Sequence, residues 1–467
     1  MNFKTIFKSF KSKQMLKRII AVMVILVIYR LLAHIPVPLG DATTFRDAVA
    51  RFVSSSDLGG FLNLVSGGGL TDFSIILVGI SPYITASILV QLLTKAVPRL
   101  EEIHNDGETG RRKLNQWTRI LTVPLAILQS IAYIFILYQS VVAGSTTSFA
   151  EPSMADWILS VSAMSAGSIL LMWLGELITE QGIGNGTSMI IFVGIASGLP
   201  KTVASLGGSL FDTSNGALSL FGWFNLPVNP TVFWIVLGFV AALTVVLYFL
   251  VKINEAQRII TINYAKRVHG NTNYGGIKSI LPIKLISAGV IPVIFAVAFL
   301  SIPAFIGQVI SSADSGNVLA KNLVTWFTAP NASNFTGLTP EWFIYPIAYF
   351  LLVVIFTYFY SSIVFNTKEI ADNLQKQGGF IEKVRPGAET VKFFDKLVVR
   401  LNLFGSLSLG LIALLPFATD YIFIITTGAP IGLSLSGTGL LIVVTVALEN
   451  LRLLNSRALM LTYDDYK

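Results

Sequence analysis

Residues 64–88 read LVSGGGLTDFSIILVGISPYITASI, a stretch in which a break stands directly before a long apolar run. The break consists of three consecutive glycines, Gly67, Gly68 and Gly69. Glycine is unfavourable inside a helix, and hydrocarbon cannot hydrogen-bond the backbone that glycine exposes. The stretch therefore predicts an interrupted membrane segment, and irregular backbone at that depth is tolerated where it lines a water-filled cavity.

The composition of the 467-residue chain is that of a membrane protein, since 53% of its residues are hydrophobic and 12% are charged. Soluble domains carry about 25% charged residues. The chain contains no cysteine, which excludes disulfides, a thiol nucleophile and a cysteine metal site. Its three histidines lie far apart without the spacing of zinc ligands, so we expect neither a metal site nor a bound cofactor.

Ten stretches are long and apolar enough to span a bilayer, which requires about 20 residues. The first follows a basic segment but is not followed by a small-residue cleavage site, so we interpret it as an uncleaved transmembrane helix. The predicted spans are 17–37, 73–94, 117–141, 155–178, 187–205, 231–252, 283–303, 342–365, 399–417 and 433–451.

Lysine and arginine residues are concentrated in alternate loops, and such an excess marks the cytoplasmic side. This pattern places both termini in the cytoplasm, together with two long loops at about 253–282 and 366–398. Five spans then fall in each half of the chain, 1–205 and 231–467, on either side of an external linker at 206–230. An odd number of spans per half permits the halves to form an inverted repeat.

Two other classes of membrane protein are alternatives. A secondary transporter also favours broken helices, but it usually holds carboxylates at membrane depth, and here the acidic residues lie near span ends. An intramembrane enzyme would need a catalytic constellation. Glu176 and Glu180 lie four residues apart, yet no nucleophile accompanies them, and we predict no catalytic residue. The neighbouring Gly182, Gly184 and Gly186 predict a tight turn between two spans.

Several long motifs, in the same order along nearly the whole chain, resemble those of the SecY/translocon alpha-subunit family. They are GISPYITASILVQLLT from residue 79, LITEQGIGNGTSMIIFVGI from residue 177, EAQRIITINYAKRV from residue 255, and the pair GGF and RPG from residues 378 and 385. The resemblance implies an all-α polytopic membrane protein, in which ten transmembrane helices form two inverted five-helix halves around a central hourglass-shaped pore. It also implies a non-enzymatic channel subunit of the bacterial plasma membrane that conducts unfolded preproteins.

In this family the second span is split, and its first part folds back into the outer funnel as a plug. The resemblance assigns this role to about residues 61–75, for which the alternative is an ordinary external loop. The three glycines would supply the freedom of a hinge. The plug and hinge residues are Phe61, Leu64, Gly67, Gly68, Gly69 and Leu70.

The family also narrows its pore with a ring of branched apolar side chains. Such a constriction dewets and blocks ions while the channel is empty. Each ring residue has an alternative as an ordinary core or lipid contact. The resemblance assigns the ring to Ile80, Ile84, Ile191, Ile195, Ile294 and Ile442, of which the first two pairs have the i, i+4 spacing of one helix face.

The resemblance further implies a lateral gate between about 75–94 and 283–303, through which signal sequences and new transmembrane helices enter the lipid bilayer. The two cytoplasmic loops, which are otherwise solvated connections, would bind an acidic or ribonucleoprotein partner. In the family this partner is the motor ATPase SecA or the ribosome, and the small subunits SecE and SecG, YidC and SecDF are further partners. The residues implied for SecA or ribosome binding are Arg258, Lys266, Arg267 and Arg385.

Overall fold

A computed structural model of the chain describes its helices, strands and several connections. The described residues are 13–38, 49, 73–144, 153–211, 218–220, 224–226, 228–264, 267–269, 272–274, 278–286, 289, 291–313, 317–327, 340–427 and 437–464. All six named plug and hinge residues, from Phe61 to Leu70, lie outside this part of the chain, and so does Lys266.

Each of the ten predicted spans contains a helix, and the described residues between them include three shorter α-helices. Five of the described helices are long and apolar enough to cross a membrane, so the count of ten crossings stays a prediction. The α-helices are α1 (Lys13–Leu32), α2 (Ser81–Ala96), α3 (Pro98–Asn105), α4 (Gly107–Gly144), α5 (Met154–Gln181), α6 (Gly186–Leu210), α7 (Pro230–Glu255), α8 (Ile291–Ala313), α9 (Val318–Phe327), α10 (Ile344–Val364), α11 (Thr367–Lys376), α12 (Ala388–Thr427) and α13 (Gly437–Asp464), and a 3₁₀ turn covers Pro340–Phe343.

Two of the predicted spans become helical eight residues later than the hydropathy pattern indicates. The stretch 73–94 becomes helical only at Ser81, where Pro82 suits the first turn of a helix because its missing N–H has no partner there anyway. The stretch 283–303 becomes helical at Ile291, because Lys278–Lys284 is a strand. Apolar composition alone does not distinguish a helix from a short buried strand or an irregular buried segment.

The described parts of the connections that the sequence predicted only as loops and a linker contain seven short strands. The predicted linker 206–230 holds the antiparallel pair β1 and β2, and the first of the two long predicted loops holds an antiparallel pair, β4 and β5. A three-stranded antiparallel sheet has the order β6-β3-β7. The strands are β1 (Leu218–Leu220), β2 (Phe224–Leu226), β3 (Gln257–Tyr264), β4 (Arg267–His269), β5 (Thr272–Tyr274), β6 (Lys278–Lys284) and β7 (Gly379–Ile381).

The chain contacts divide the structure into two compact units that are interleaved along the sequence. The first unit comprises residues 1–235, 297–346 and 423–467, and the second comprises 236–296 and 347–422. This division does not follow the predicted halves, 1–205 and 231–467, which stay a prediction.

In the first unit, α4 packs against α2, α3 and α5, α5 packs against α1 and α6, and α13 lies against α6. A hydrophobic cluster joins the segment after α1, the segment before α2, and helices α4, α5 and α8. The outer faces of these helices are apolar and exposed, as a lipid-facing surface is expected to be; examples are Ile120, Leu128 and Trp173. The cluster consists of Val37, Val49, Phe73, Leu77, Val78, Tyr133, Ile134, Leu137, Met164 and Ala304.

In the second unit, a separate core joins the three-stranded sheet to α11 and the start of α12. Strand β3 turns alternate residues inward, since Ile260 and Ile262 are buried while Ile259 and Thr261 are exposed. Phe394 on α12 is fully buried against them. The described parts of the two long predicted loops therefore contribute to a folded core and are not merely solvated connections.

Candidate functional site

An irregular segment, Phe73–Ile80, leads into α2. Its first residues are tied to the segment after α1 by two backbone hydrogen bonds, from the Val37 N–H to the Phe73 carbonyl and from the Ile75 N–H to the Ile35 carbonyl, both at 2.9 Å. Phe73 is buried and has a φ of 46°, a left-handed conformation that is uncommon for a bulky residue. The last three residues of the predicted plug, 73–75, are thus held in place.

Helix α5 packs against this irregular segment through small residues. A Cβ atom on Gly167 would overlap the carbonyl oxygen of Ile75, so the two backbones lie in direct contact there. The Ser168 hydroxyl donates a hydrogen bond to the Gly79 carbonyl at 2.8 Å, and the Ser160 hydroxyl donates to the Pro38 carbonyl at 3.0 Å. These contacts allow non-helical backbone to be buried with its polar groups satisfied.

Ile80 and Ile84 follow this segment on one face of the start of α2. The Ile84 N–H donates to the Ile80 carbonyl at 3.1 Å, which closes the first helical turn. Both side chains are buried. The i, i+4 placement that the sequence predicts for this pair is therefore present in the structure.

Ile191 and Ile195 form the corresponding pair on α6. This helix is reached through a tight turn, in which Gly182 has a φ of 68°, and the turn predicted from the glycines is confirmed. Asn185 caps α6, because its side-chain oxygen accepts hydrogen bonds from the N–H groups of Thr187 and Ser188 at 3.1 and 3.4 Å.

Ile442 lies on α13, which packs against α6. Further along α13, Asn450 and Arg457 lie against the turn between α5 and α6, since a Cβ on Gly184 would overlap the Asn450 amide and one on Gly182 the Arg457 guanidinium. The first unit thus carries five of the six predicted ring residues, on α6, α13 and at the start of α2. Each is at most 7% exposed: Ile80, Ile84, Ile191, Ile195 and Ile442.

Ile294, the sixth predicted ring residue, lies on the first turn of α8 in the second unit. It is half-buried, between the buried Val293 and Phe295, and Phe295 packs edge-to-face on Phe356 with ring centroids 6.1 Å apart. A closed apolar constriction and an ordinary helix interface both bury isoleucine. The ring assignment as a whole therefore stays a prediction.

The second unit also carries the predicted docking residues that the structure describes. Arg258 lies on β3 opposite Ile283, three residues after the end of α7, and its side chain is exposed. Arg385 lies in the turn between β7 and α12. Its carbonyl accepts from the Thr390 hydroxyl at 2.9 Å and its N–H donates to the Glu389 carboxylate at 3.3 Å, so the backbone is held while the side chain is exposed.

The conformation of this turn and the outer face of the neighbouring sheet were not predicted from the sequence. Lys383 adopts a φ of 68° and Gly387 a φ of 99°, so the EKVRPG stretch makes a sharp bend into α12. The outer face of the sheet also exposes apolar side chains, Ile259, Ile280 and Phe380, which alternate with the buried positions. The alternation of apolar and polar residues could have revealed these exposed side chains, but a loop was predicted instead.

The predicted docking residue Arg267 lies on β4, and only its backbone is described.

Glu176 forms an ion pair rather than a catalytic dyad. Its carboxylate accepts from the Arg119 side chain of α4, with an Nε–Oε1 distance of 2.7 Å, while Glu180 is exposed. Among the described residues, no group of three or more histidine, cysteine, aspartate or glutamate side chains could hold a metal ion.

A sequence model of the SecY family matches residues 74–451 of the chain. The protein translocase subunit SecY of Streptomyces coelicolor is 37% identical over 465 residues, which cover 98% of this chain and 98% of that protein. The protein translocase subunit SecY of Thermus thermophilus is also 37% identical, over 470 residues that cover 99% of this chain and 97% of that protein.

Solved structures share the fold. A structure of SecY, concerned with the stabilisation of the closed translocation channel by its plug domain, has a TM-score of 0.58 and 18% identity and covers 92% of this chain and 90% of that one. The structure of a protein-conducting channel has a TM-score of 0.55 and 17% identity, with coverage of 92% and 90%. Sec61 from a canine ribosome-channel complex has a TM-score of 0.52 and 17% identity, with coverage of 93% and 90%.

Proposed function

Because the chain belongs to the SecY family, we propose that it is the channel subunit of a protein translocase, which passes unfolded preproteins across a membrane and releases transmembrane helices sideways into the lipid. The observation that carries this proposal is the extent of the similarity, 37% identity over 98% of both chains. The chain is accordingly a multi-pass membrane protein and a channel subunit rather than an enzyme.

The seal is an apolar constriction formed by the six ring isoleucines. The burial of the five in the first unit supports this role, since the side chains of a closed constriction expose little surface. Apolar side chains make no directional hydrogen bonds, so they can close around polypeptides of many sequences. The plug, at about residues 61–75, covers this constriction from the outer side.

The lateral gate lies between the second and seventh spans, which are helical over Ser81–Ala96 and Ile291–Ala313. A signal sequence or a new transmembrane helix leaves the channel here, because burial of its apolar surface in hydrocarbon is favourable. Both helices begin after a non-helical connection, and this supports their role as movable elements.

The docking surface for the driving partner is the folded cytoplasmic part of the second unit, with Arg258, Lys266, Arg267 and Arg385. Arg258 and Arg385 are exposed, and neither forms an ion pair with another described residue. Arginine binds carboxylates and phosphates through two parallel hydrogen bonds, which suits an acidic motor protein or ribosomal RNA. SecA and the translating ribosome are the two partners with this chemistry.

The channel works in the bacterial plasma membrane with both termini in the cytoplasm, in a complex with SecE and SecG, and with YidC and SecDF as further partners. The excess of lysine and arginine in alternate loops supports this orientation. Membership of a translocon complex and association with ribosomes fit the family.

The proposal is tested by reconstitution into proteoliposomes with SecE, SecA, ATP and a preprotein, in which protease-protected product is measured. Protected product that requires both ATP and this chain is expected. The same liposomes without preprotein should hold an ion gradient. Product that forms equally without this chain, or a failure to protect any preprotein with active SecA present, would refute the proposed function.

A further inference from the structure

Ser168 holds the peptide group that directly precedes a predicted ring residue. Its hydroxyl lies 2.8 Å from the carbonyl oxygen of Gly79, and Ile80 is the next residue along the chain. Ser168 is fully buried on α5 and lies 89 residues after Gly79 in the sequence. No residue of α2 itself provides this contact.

The Gly79 carbonyl needs such a partner because it lies outside the regular hydrogen-bonding pattern of α2. Within the irregular segment, the Gly79 N–H donates to the Ile76 carbonyl at 2.8 Å, and the helical pattern starts with the bond from Ile84 to Ile80. Gly79 has a φ of 65°, so the chain turns sharply there. A buried carbonyl left without a donor costs about 1–3 kcal/mol, which favours any rearrangement that exposes it to water.

The neighbouring residue on α5 restricts the same segment at a second point. Gly167 lies against the carbonyl group of Ile75, four residues before Gly79. The segment is thus held at two points by adjacent residues of one helix. The other serines of α5 act elsewhere, since the Ser165 hydroxyl donates to Ser130 on α4 at 3.2 Å and the Ser162 hydroxyl donates to Ile158 within α5.

We propose that Ser168 is a positioning residue for the constriction: it fixes the Gly79 peptide, and thereby the place at which Ile80, the cap of α2, and Ile84 on its first turn face the pore. This inference rests on the proposed function for the role of the two isoleucines. The contact itself does not depend on that role. Ser168 touches neither the preprotein nor the driving partner.

The test uses a reporter cysteine, because the chain contains no native cysteine. Ile84→Cys is combined with Ser168→Ala, and the rate of reaction with a small water-soluble maleimide is measured in membranes. Loss of the hydrogen bond should raise the labelling rate about tenfold, as the segment opens more often. Ser165→Ala is the matched control, since it removes another buried serine hydroxyl from the same helix, and Ser162→Ala removes an exposed one; both should leave the rate unchanged.

A second pair of variants keeps the test independent of a general loss of stability. Ser168→Thr retains the hydroxyl, and Ser168→Val has the shape of threonine without a hydroxyl. Slow labelling with threonine and fast labelling with valine are expected. Equal rates for threonine and valine, or an equal increase in the Ser165→Ala control, would overturn the positioning role of Ser168.

Ion leakage through the channel separates this inference from the proposed function. If Ser168→Ala raises the labelling rate without raising leakage, the positioning role stands and the role of Ile80 and Ile84 as a seal fails. If Ile84→Asn leaks while Ser168→Ala leaves the labelling rate unchanged, the seal stands and the positioning role fails.

Discussion

The backbone of Gly186, the first residue of α6, lies against the carbonyl group of Gly175 on α5, so closely that a side chain at Gly186 would overlap that oxygen. The Gly186 N–H also donates to the Thr179 hydroxyl at 2.9 Å. The two helices therefore meet at their backbones immediately after the turn that joins them. Ile191 and Ile195 lie on the turns of α6 that follow this contact.

Gly186→Ala should destabilise the protein by about 1–3 kcal/mol, because the added methyl group forces α5 and α6 apart. The measurement is the midpoint temperature of unfolding in detergent, which should fall. Gly198→Ala is the matched control on the same helix, since its added Cβ would have no atom within 4 Å. An unchanged midpoint in Gly186→Ala would contradict the close contact.

Ile294→Asn should increase ion leakage through the resting channel. A polar side chain hydrates a narrow apolar constriction, and a hydrated constriction conducts ions. Conductance is measured in planar bilayers with the reconstituted complex. Ile294→Val keeps a branched apolar side chain, so the conductance of its resting channel should not increase. Equal conductance of the asparagine and valine variants would remove Ile294 from the ring.

Arg385→Glu should abolish transport driven by SecA while leaving insertion of the subunit into the membrane intact. The charge reversal repels an acidic partner, whereas the backbone contacts of the turn with Glu389 and Thr390 remain. Protease-protected preprotein and the amount of membrane-inserted subunit are measured together. Lys383→Glu introduces the same charge change at an exposed position two residues earlier and should have a smaller effect. Normal transport by Arg385→Glu would refute its role in docking.

Glu176→Gln should leave transport unchanged and cost only about 0–1 kcal/mol of stability, because partly exposed ion pairs contribute little. Its partner is Arg119, at 2.7 Å between Nε and Oε1. A double-mutant cycle with Arg119→Gln gives the coupling energy from unfolding midpoints. Glu180→Gln, at an exposed position one turn away, is the control. A loss of transport in Glu176→Gln or Glu180→Gln would instead support an acid–base role for these two glutamates.

His104 should titrate below its ordinary pKa of 6.5. Burial lowers the pKa of His104, and the positive charges of Arg111 and Lys95 lower it further. A lowered pKa in the folded protein means that the unfolded chain binds the proton more tightly. The contribution of His104 to stability is therefore complete above about pH 6.5 and is lost as the pH falls through the pKa of the folded state. An NMR titration of the imidazole measures this pKa, and Lys95→Gln should raise it.

The apolar helices could be predicted from the sequence because a helix in hydrocarbon satisfies its own backbone, so its signal is local. Helices are present at all ten predicted spans, and the turn at Gly182 follows from glycine's access to positive φ. The i, i+4 pairs of isoleucines were predictable for the same reason. The assignment of these pairs to a ring came from the family resemblance and not from their spacing.

The irregular entry to α2 and the three-stranded sheet depended instead on contacts between distant residues. The segment Phe73–Ile80 is stabilised by donors and acceptors near residues 35–37 and at Ser168, which no local pattern connects to it. Strand β3 pairs with β6, which follows it closely, and also with β7, which lies more than one hundred residues further along the chain. Hydrogen bonds between such separated residues form only when the chain folds, so the local sequence does not reveal them. Hydropathy along the sequence therefore located the helices, whereas pairing between separated segments determined where α2 and α8 begin.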